Sequence, residues 1–163
     1  ILHIATHGFY LPPPQQNDPE TELTDNPLAR TGFILSGANN HLKTDLNKEG
    51  NGIITAYKIY QTQPKFPPVR LVVLSACETA LGDVNYTQGV LGLQRAFRLN
   101  GVIRMIISLW PVPDNETAEL MTAFYTNLVN KETFFNAFSK AQKSMKEKYK
   151  DPYKWAGFVY IGE

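Results

Sequence analysis

The sequence predicts an α/β domain with a mostly parallel sheet and helices on both faces. Short runs such as Leu71-Val72-Val73-Leu74 are apolar at every position instead of alternating, as strands covered on both faces are. Between these runs lie stretches with apolar residues at helical spacing. Punctuation agrees: Gly101 stands just past one helical pattern, and the next apolar run follows at once.

Leu2 to Thr6 is short and apolar, ends at His7-Gly8, and reads as a buried strand entering a loop. From Tyr10 to Asn26 the chain carries Pro12-Pro13-Pro14, Pro19 and many polar residues, the composition of a surface loop. It is longer than the usual connection in a compact domain, a length typical of lids and binding loops. Gly32 to Leu35 suggests a short strand, with turn residues Ser36-Gly37 and Asn39-Asn40 behind it, and Gly52 to Tyr60 a short helix.

Leu71 to Leu74 is the firmest strand. Gly89 to Asn100 carries Val90, Leu93 and Phe97 on one helical face, and Val102 to Leu109 is the next buried strand. Asp114 or Asn115 is the expected cap of a helix whose Met121, Phe124 and Leu128 share a face. Thr133 to Lys148 is a further helix, presenting Phe134, Phe138, Ala141 and Met145, and Trp155 to Ile161 closes the sheet.

The 163 residues are 43% apolar, with 16 basic against 15 acidic side chains, so we expect a single globular domain over residues 1–163. At this length folding hides roughly 70% of the surface that the unfolded chain exposes, so neither disulfides nor a structural metal are needed. A net charge of +1 gives no general electrostatic reason to bind nucleic acid or an anionic membrane. No apolar run approaches a membrane span, and Ile1-Leu2-His3-Ile4-Ala5 lacks the pattern of a signal peptide, so the expected location is the cytoplasm. The single cysteine, Cys77, forms no internal disulfide.

In an open α/β sheet, reactive groups gather beyond the carboxyl ends of the parallel strands. His7 lies three residues after Ile4, and Cys77 lies three residues after Leu74. If the two strands are parallel neighbours, imidazole and thiol emerge at the same height above one edge. Asp114 follows the third such strand, after Trp110-Pro111. A cysteine attacks a carbonyl as its thiolate, and a nearby histidine favours that form. Gly8 can offer an unobstructed N–H to a developing oxyanion.

Plainer readings stand beside this one. A lone cysteine after an apolar strand is often an inert buried residue, and a histidine at a strand end is often a satisfied polar one. Asp114 reads equally well as a helix cap. His3, His7 and Cys77 make a poor zinc set, with His41 far off, and His3 reads as a core residue. No metal and no cofactor are expected, since no Walker A loop, GxGxxG fingerprint or GxSxG elbow is present.

His3-Ile4-Ala5-Thr6-His7-Gly8 and Leu74-Ser75-Ala76-Cys77-Glu78-Thr79-Ala80-Leu81-Gly82 resemble the histidine and cysteine motifs of the CHAT family. These are caspase-like domains of clan CD, related to separases and caspases. The likeness continues through Gly89 to Phe97, Ser108-Leu109-Trp110-Pro111-Val112-Pro113-Asp114, Phe124-Tyr125 and Trp155 to Phe158. Arg30-Thr31-Gly32, Gly37-Ala38-Asn39 and Gly52 to Ala56 fit the intervening pattern.

The resemblance implies a caspase-like cysteine endopeptidase with His7 as general base and Cys77 as nucleophile, and with the N–H groups of Gly8 and Cys77 as the oxyanion hole. The Ser-Leu-Trp-x-Val-x-Asp stretch is similar to one in separases. That likeness implies that Asp114 recognises a basic side chain before the scissile bond. Family domains carry further strand and helix material upstream, so the resemblance implies a sheet lacking its first elements. It also implies the C-terminal portion of a larger protein, behind tetratricopeptide repeats or another sensor module. The partner would be a protein or peptide substrate. The alternative is a non-catalytic or autoinhibited interaction module that binds partner chains, and a nucleotide site at the sheet's switch point is a third, weaker reading.

Overall fold

The computed structural model describes residues 1–11, 26–38, 51–62, 69–75 and 86–163. Cys77 and most of the segment from Tyr10 to Asn26 lie outside the described residues. In chain order the elements are β1 (Leu2–Ile4), β2 (His7–Tyr10), β3 (Thr31–Ile34), β4 (Ile53–Thr55), α1 (Ala56–Gln61), β5 (Val72–Leu74), α2 (Tyr86–Leu99), β6 (Met105–Ser108), α3 (Asp114–Val129), α4 (Phe134–Lys148) and β7 (Phe158–Ile161). They fall into two compact units.

The first unit holds a four-stranded sheet in the order β1-β5-β6-β7. β1, β5 and β6 run parallel and β7 runs antiparallel to β6, so the mostly parallel α/β sheet is present. Val73 and Ile106 share one core with Leu120, Phe124, Phe138 and Met145 of α3 and α4. Val72, Leu74, Met105 and Ile107, on the alternate face, are buried as well. An unbroken apolar run is what such two-sided burial requires.

Both helices over this sheet have identifiable starts. The Thr133 hydroxyl accepts the Asn136 N–H at 3.2 Å and caps α4. α3 departs from expectation: Pro113 holds the cap position with φ −56° and ψ 145°, and no side chain caps the helix. The proline ring fixes φ, and its carbonyl accepts the Thr117 N–H at 2.9 Å, so the cap lies one residue before the expected carboxylate and the helix begins at Asp114. The closing strand is shorter than expected, because residues 155–157 continue as a turn from the 3-10 helix Pro152–Lys154, with the Trp155 and Ala156 N–H groups donating to the Pro152 carbonyl. The Gln142 amide on α4 donates to the carbonyls of Trp155 and Phe158 at 3.2 and 3.0 Å, which seats β7.

The second unit is built on an antiparallel sheet, β2-β3-β4, that periodicity did not reveal. The opening strand ends at Ile4, and His7 begins a new strand whose register pairs it with Ile34. The Thr6 hydroxyl donates to the Ile34 carbonyl and ties down the start of that strand. The segment expected as one helix from Gly52 divides into β4 and α1, with Thr55 accepting the Lys58 N–H at 3.1 Å as the cap. α2 ends as its sequence indicates: Gly101 has φ +89°, and the buried Asn100 amide donates to the Ile59 and Ala96 carbonyls.

Candidate active site

The carboxyl end of the parallel sheet is defined by the pairing of Ile4 with Leu74. Beyond it, the Ser75 N–H donates to the Ile4 carbonyl at 3.0 Å, and the Ser75 hydroxyl approaches the same oxygen at 3.4 Å. The segment that leads to Cys77 therefore leaves from a fixed point beside β1. Cys77 itself, with its proposed oxyanion N–H, is outside the described residues.

His3 is exposed on β1, contrary to its expected place in the core. Its ring bridges two side chains, with Nδ1 2.9 Å from the Tyr125 hydroxyl and Nε2 3.4 Å from Ser75 Oγ. The physical reason is parity: alternate residues of a strand face opposite ways, and on this three-residue edge strand the middle position escapes burial. Partial burial pushes the His3 pKa below 6.5 and the Tyr125 pKa above 10.0. One neutral arrangement satisfies every group: Tyr125 donates to Nδ1, Nε2–H donates to Ser75 Oγ, and Ser75 donates to the Ile4 carbonyl. Ser75 and Tyr125 enter the sequence reading only as members of longer motifs. Nothing in their spacing signals that one imidazole joins them.

His7 opens β2 and is exposed, and its imidazole makes no hydrogen bond among the described residues. The Leu11 N–H donates to the Arg30 carbonyl at 2.7 Å in continuation of the β2–β3 register. Alternate residues of an antiparallel ladder bond to the partner, so His7 and Phe9 share Leu11's phase and Gly8 does not. The Gly8 N–H thus points away from β3, on the side of β2 where no further strand pairs among the described residues, and Gly8 itself is buried. That orientation is what an oxyanion donor needs.

Asp114 is the first residue of α3 and is exposed. Its carboxylate makes no hydrogen bond and no ion pair among the described residues. With Pro113 in the cap position, the competing role of Asp114 as a helix cap falls away. The carboxylate is free to meet a cation.

A family model described as "CHAT domain" matches residues 1–163, the whole chain. The chain belongs to the CHAT domain family. This CHAT domain is also similar to "Tetratricopeptide repeat protein 28" of Homo sapiens, with 36% identity over 97 residues, covering 58% of the chain and 4% of that protein. The protein of the same name from Mus musculus is 35% identical over 96 residues, again covering 58% of the chain and 4% of its own length. The CHAT chain therefore matches only a small part of each curated relative. Among its described residues, no helix is long and apolar enough to cross a membrane.

Proposed function

We propose that this chain is the CHAT module of a larger tetratricopeptide-repeat protein and that it engages extended polypeptide with the segments that follow β1 and β5. The likeness to tetratricopeptide repeat protein 28 supports the first part. Three features support the second: an exposed His7, a Gly8 N–H turned away from its own sheet, and a Cys77 segment that departs from a fixed point at Ser75. Such a module works by contact with partner chains, whether or not contact ends in cleavage.

A second reading, cysteine endopeptidase, is favoured by one observation: Ile4 and Leu74 are direct neighbours on parallel strands, and His7 and Cys77 each lie three positions further along the chain. Three residues of extended chain reach about 10 Å, and neighbouring strands lie about 4.8 Å apart, so the connecting chain is long enough to let the two side chains meet. In this chemistry His7 takes the thiol proton and the Cys77 thiolate adds to the scissile carbonyl. The oxyanion rests on the N–H groups of Gly8 and Cys77, and the amine leaves with the proton from His7. Water activated by His7 then releases the acyl group. Asp114 is the candidate partner for a basic side chain before the scissile bond.

A peptide carrying a thiol-reactive warhead separates the two. Labelling of Cys77 that is fast and lost in His7→Ala supports the peptidase, and Cys77→Ala should then abolish peptide cleavage with an unchanged circular dichroism spectrum. Labelling no faster than that of free cysteine, alongside peptide binding, leaves the contact module. Absence of both overturns the proposal.

A further inference from the structure

Arg30 stands just before β3, where the backbone is fixed on both sides of it. The Asn26 side chain accepts the Leu28 N–H at 3.0 Å, the Asn26 carbonyl accepts that of Ala29 at 2.9 Å, and the Leu28 carbonyl accepts the Tyr57 N–H of α1 at 3.0 Å. The Arg30 carbonyl takes the Leu11 N–H at 2.7 Å and extends the β2–β3 ladder by one step. The side chain therefore leaves from a preset position.

Its guanidinium is enclosed but not satisfied. Arg30 is 7% exposed, and its Nε and Nη1 are buried with no hydrogen-bond partner among the described residues. The Tyr10 ring centre lies 5.9 Å from the guanidinium carbon and attracts the charge, yet both nitrogens still lack an acceptor. The described residues of the second unit, 5–11, 26–38, 51–62, 69 and 86–102, include no Asp or Glu at all. The first unit behaves differently: Lys140, Lys148 and Lys154, all more exposed than Arg30, each meet a carboxylate.

An arginine cannot shed its charge to escape burial, and a buried charge without a counter-ion destabilises the fold that holds it. A cation placed in this way on a fixed backbone is accounted for by an anion that arrives from outside. The planar guanidinium fork is matched by two coplanar oxygens, which receive parallel N–H···O bonds.

We propose that Arg30 is the seat of a carboxylate-binding site in the second unit, filled by an acidic side chain of a bound polypeptide. The source of the carboxylate rests on the reading that this module engages extended chain; the site itself does not. β2 carries Gly8 near one end and the Leu11–Arg30 bond at the other. Three residues of extended chain span about 10 Å, so a polypeptide that follows β2 from the Gly8 N–H comes level with Arg30 three residues later.

Thermal melting in sodium acetate against sodium chloride at equal ionic strength tests the site with the simplest carboxylate. The midpoint should rise by roughly 3–6 °C once acetate is in tenfold excess over its dissociation constant. Arg30→Met should lose that rise, and Arg30→Lys, which keeps the charge without the fork, should respond more weakly. No acetate-dependent rise in the parent, an undiminished rise in either variant, or an equal rise with inorganic phosphate overturns the inference. The polypeptide source is tested by fluorescence anisotropy with labelled neutral peptides carrying one Glu at successive positions, and with their Gln counterparts. Glu should improve binding ~10-fold at one position in the parent and at none in Arg30→Met. An acetate rise without peptide binding upholds the carboxylate site and removes only the polypeptide reading. Peptide binding that is indifferent to Glu, with no acetate rise, overturns the site and leaves that reading standing.

Discussion

The Tyr125 hydroxyl lies 2.9 Å from Nδ1 of His3, and through that ring a residue of α3 is connected to Ser75, two positions before Cys77. The imidazole holds this arrangement in its neutral form, since burial pushes its pKa down. In the unfolded chain the same ring binds a proton near its ordinary value of 6.5. As pH falls through that value the unfolded state takes up the proton first, so the contribution of His3 to stability is complete above it and declines below, until the lower folded pKa is passed. Urea midpoints measured from about pH 8 to pH 5 should therefore fall on the acid side. His3→Gln should flatten that fall. An unchanged slope in the variant would remove His3 as its source.

Tyr125→Phe deletes the donor to Nδ1 and leaves the ring in place. A partly exposed bond of this kind contributes about 0.5–1.5 kcal/mol, so we expect a small loss of stability at neutral pH. The informative measurement is the rate of thiol labelling at Cys77. If the network positions the Ser75 segment, Tyr125→Phe and Ser75→Ala slow labelling together, and the double variant does no worse than either alone. Additive effects would mean two unrelated contacts.

A second pH window lies lower. Glu119 on α3 accepts Lys148 at 2.7 Å and the Tyr149 hydroxyl at 2.8 Å, and Glu116 pairs with Lys154 at 2.9 Å. The side-chain hydrogen bond from Lys148, aided by Tyr149, holds the Glu119 carboxyl below 4.5, and the one from Lys154 does the same for Glu116. A depressed folded pKa gives stability that is present above 4.5 and lost as pH falls through the folded value. Glu119→Gln should reduce the acid-side slope below about pH 4.5 without touching the His3 window. Lys148 is exposed and Glu119 only partly buried, so at neutral pH the Glu119 variant should melt almost as the parent does.

How much of this was legible in sequence depended on run length and on neighbours. Val72–Leu74 and residues 105–107 announced themselves because burial on both faces leaves no polar position to blur the pattern. The break between β1 and β2 did not: Leu2 to Tyr10 is two short strands, the second secured by a hydroxyl bond from Thr6 to Ile34, a contact 28 residues away that no local pattern encodes. β4 is three residues long, too short for a period of two to be distinguished from the start of α1. For the candidate site, chain spacing gave the matching offsets of His7 and Cys77 from their strands. It could not give the phase of the β2–β3 ladder that turns the Gly8 N–H outward.

Gly32 and Gly37 make a controlled pair. A Cβ on Gly32 would sit inside van der Waals contact of the Ile54 carbonyl, a main-chain atom fixed by the β3–β4 ladder, and 2.9 Å from the Phe9 ring. Gly37 has φ +95°, and among the described residues nothing stands within 4 Å of where a methyl group would be, so the obstacle there is backbone conformation. Gly37→Ala should cost about 1–2 kcal/mol. Gly32→Ala should cost more, because two strands must part. Equal melting of the two variants would show that the sheet yields freely at this point.

Asp114 offers the sharpest separation of specificity from stability. As a helix cap its carboxylate would contribute about 1 kcal/mol, and Asp114→Asn or Asp114→Ala would be felt in the melting curve. With Pro113 in the cap position and no bond to the side chain, either change should shift unfolding by less than about 0.5 kcal/mol, the small loss expected from a first-turn acid near a helix dipole. If the same carboxylate receives a basic side chain of the substrate, the lost charge-assisted bond of about 1.5–3 kcal/mol lowers kcat/KM for Arg- or Lys-containing peptides ~10–150-fold. Peptides with a neutral side chain there should be cut, or bound, as before. The comparison needs both substrates, because a general loss of activity would indicate a distorted loop through Pro111 and Pro113. A selective loss at basic residues with an unmoved melting curve assigns Asp114 to recognition, and a lowered melting curve with no change in preference returns it to a structural role.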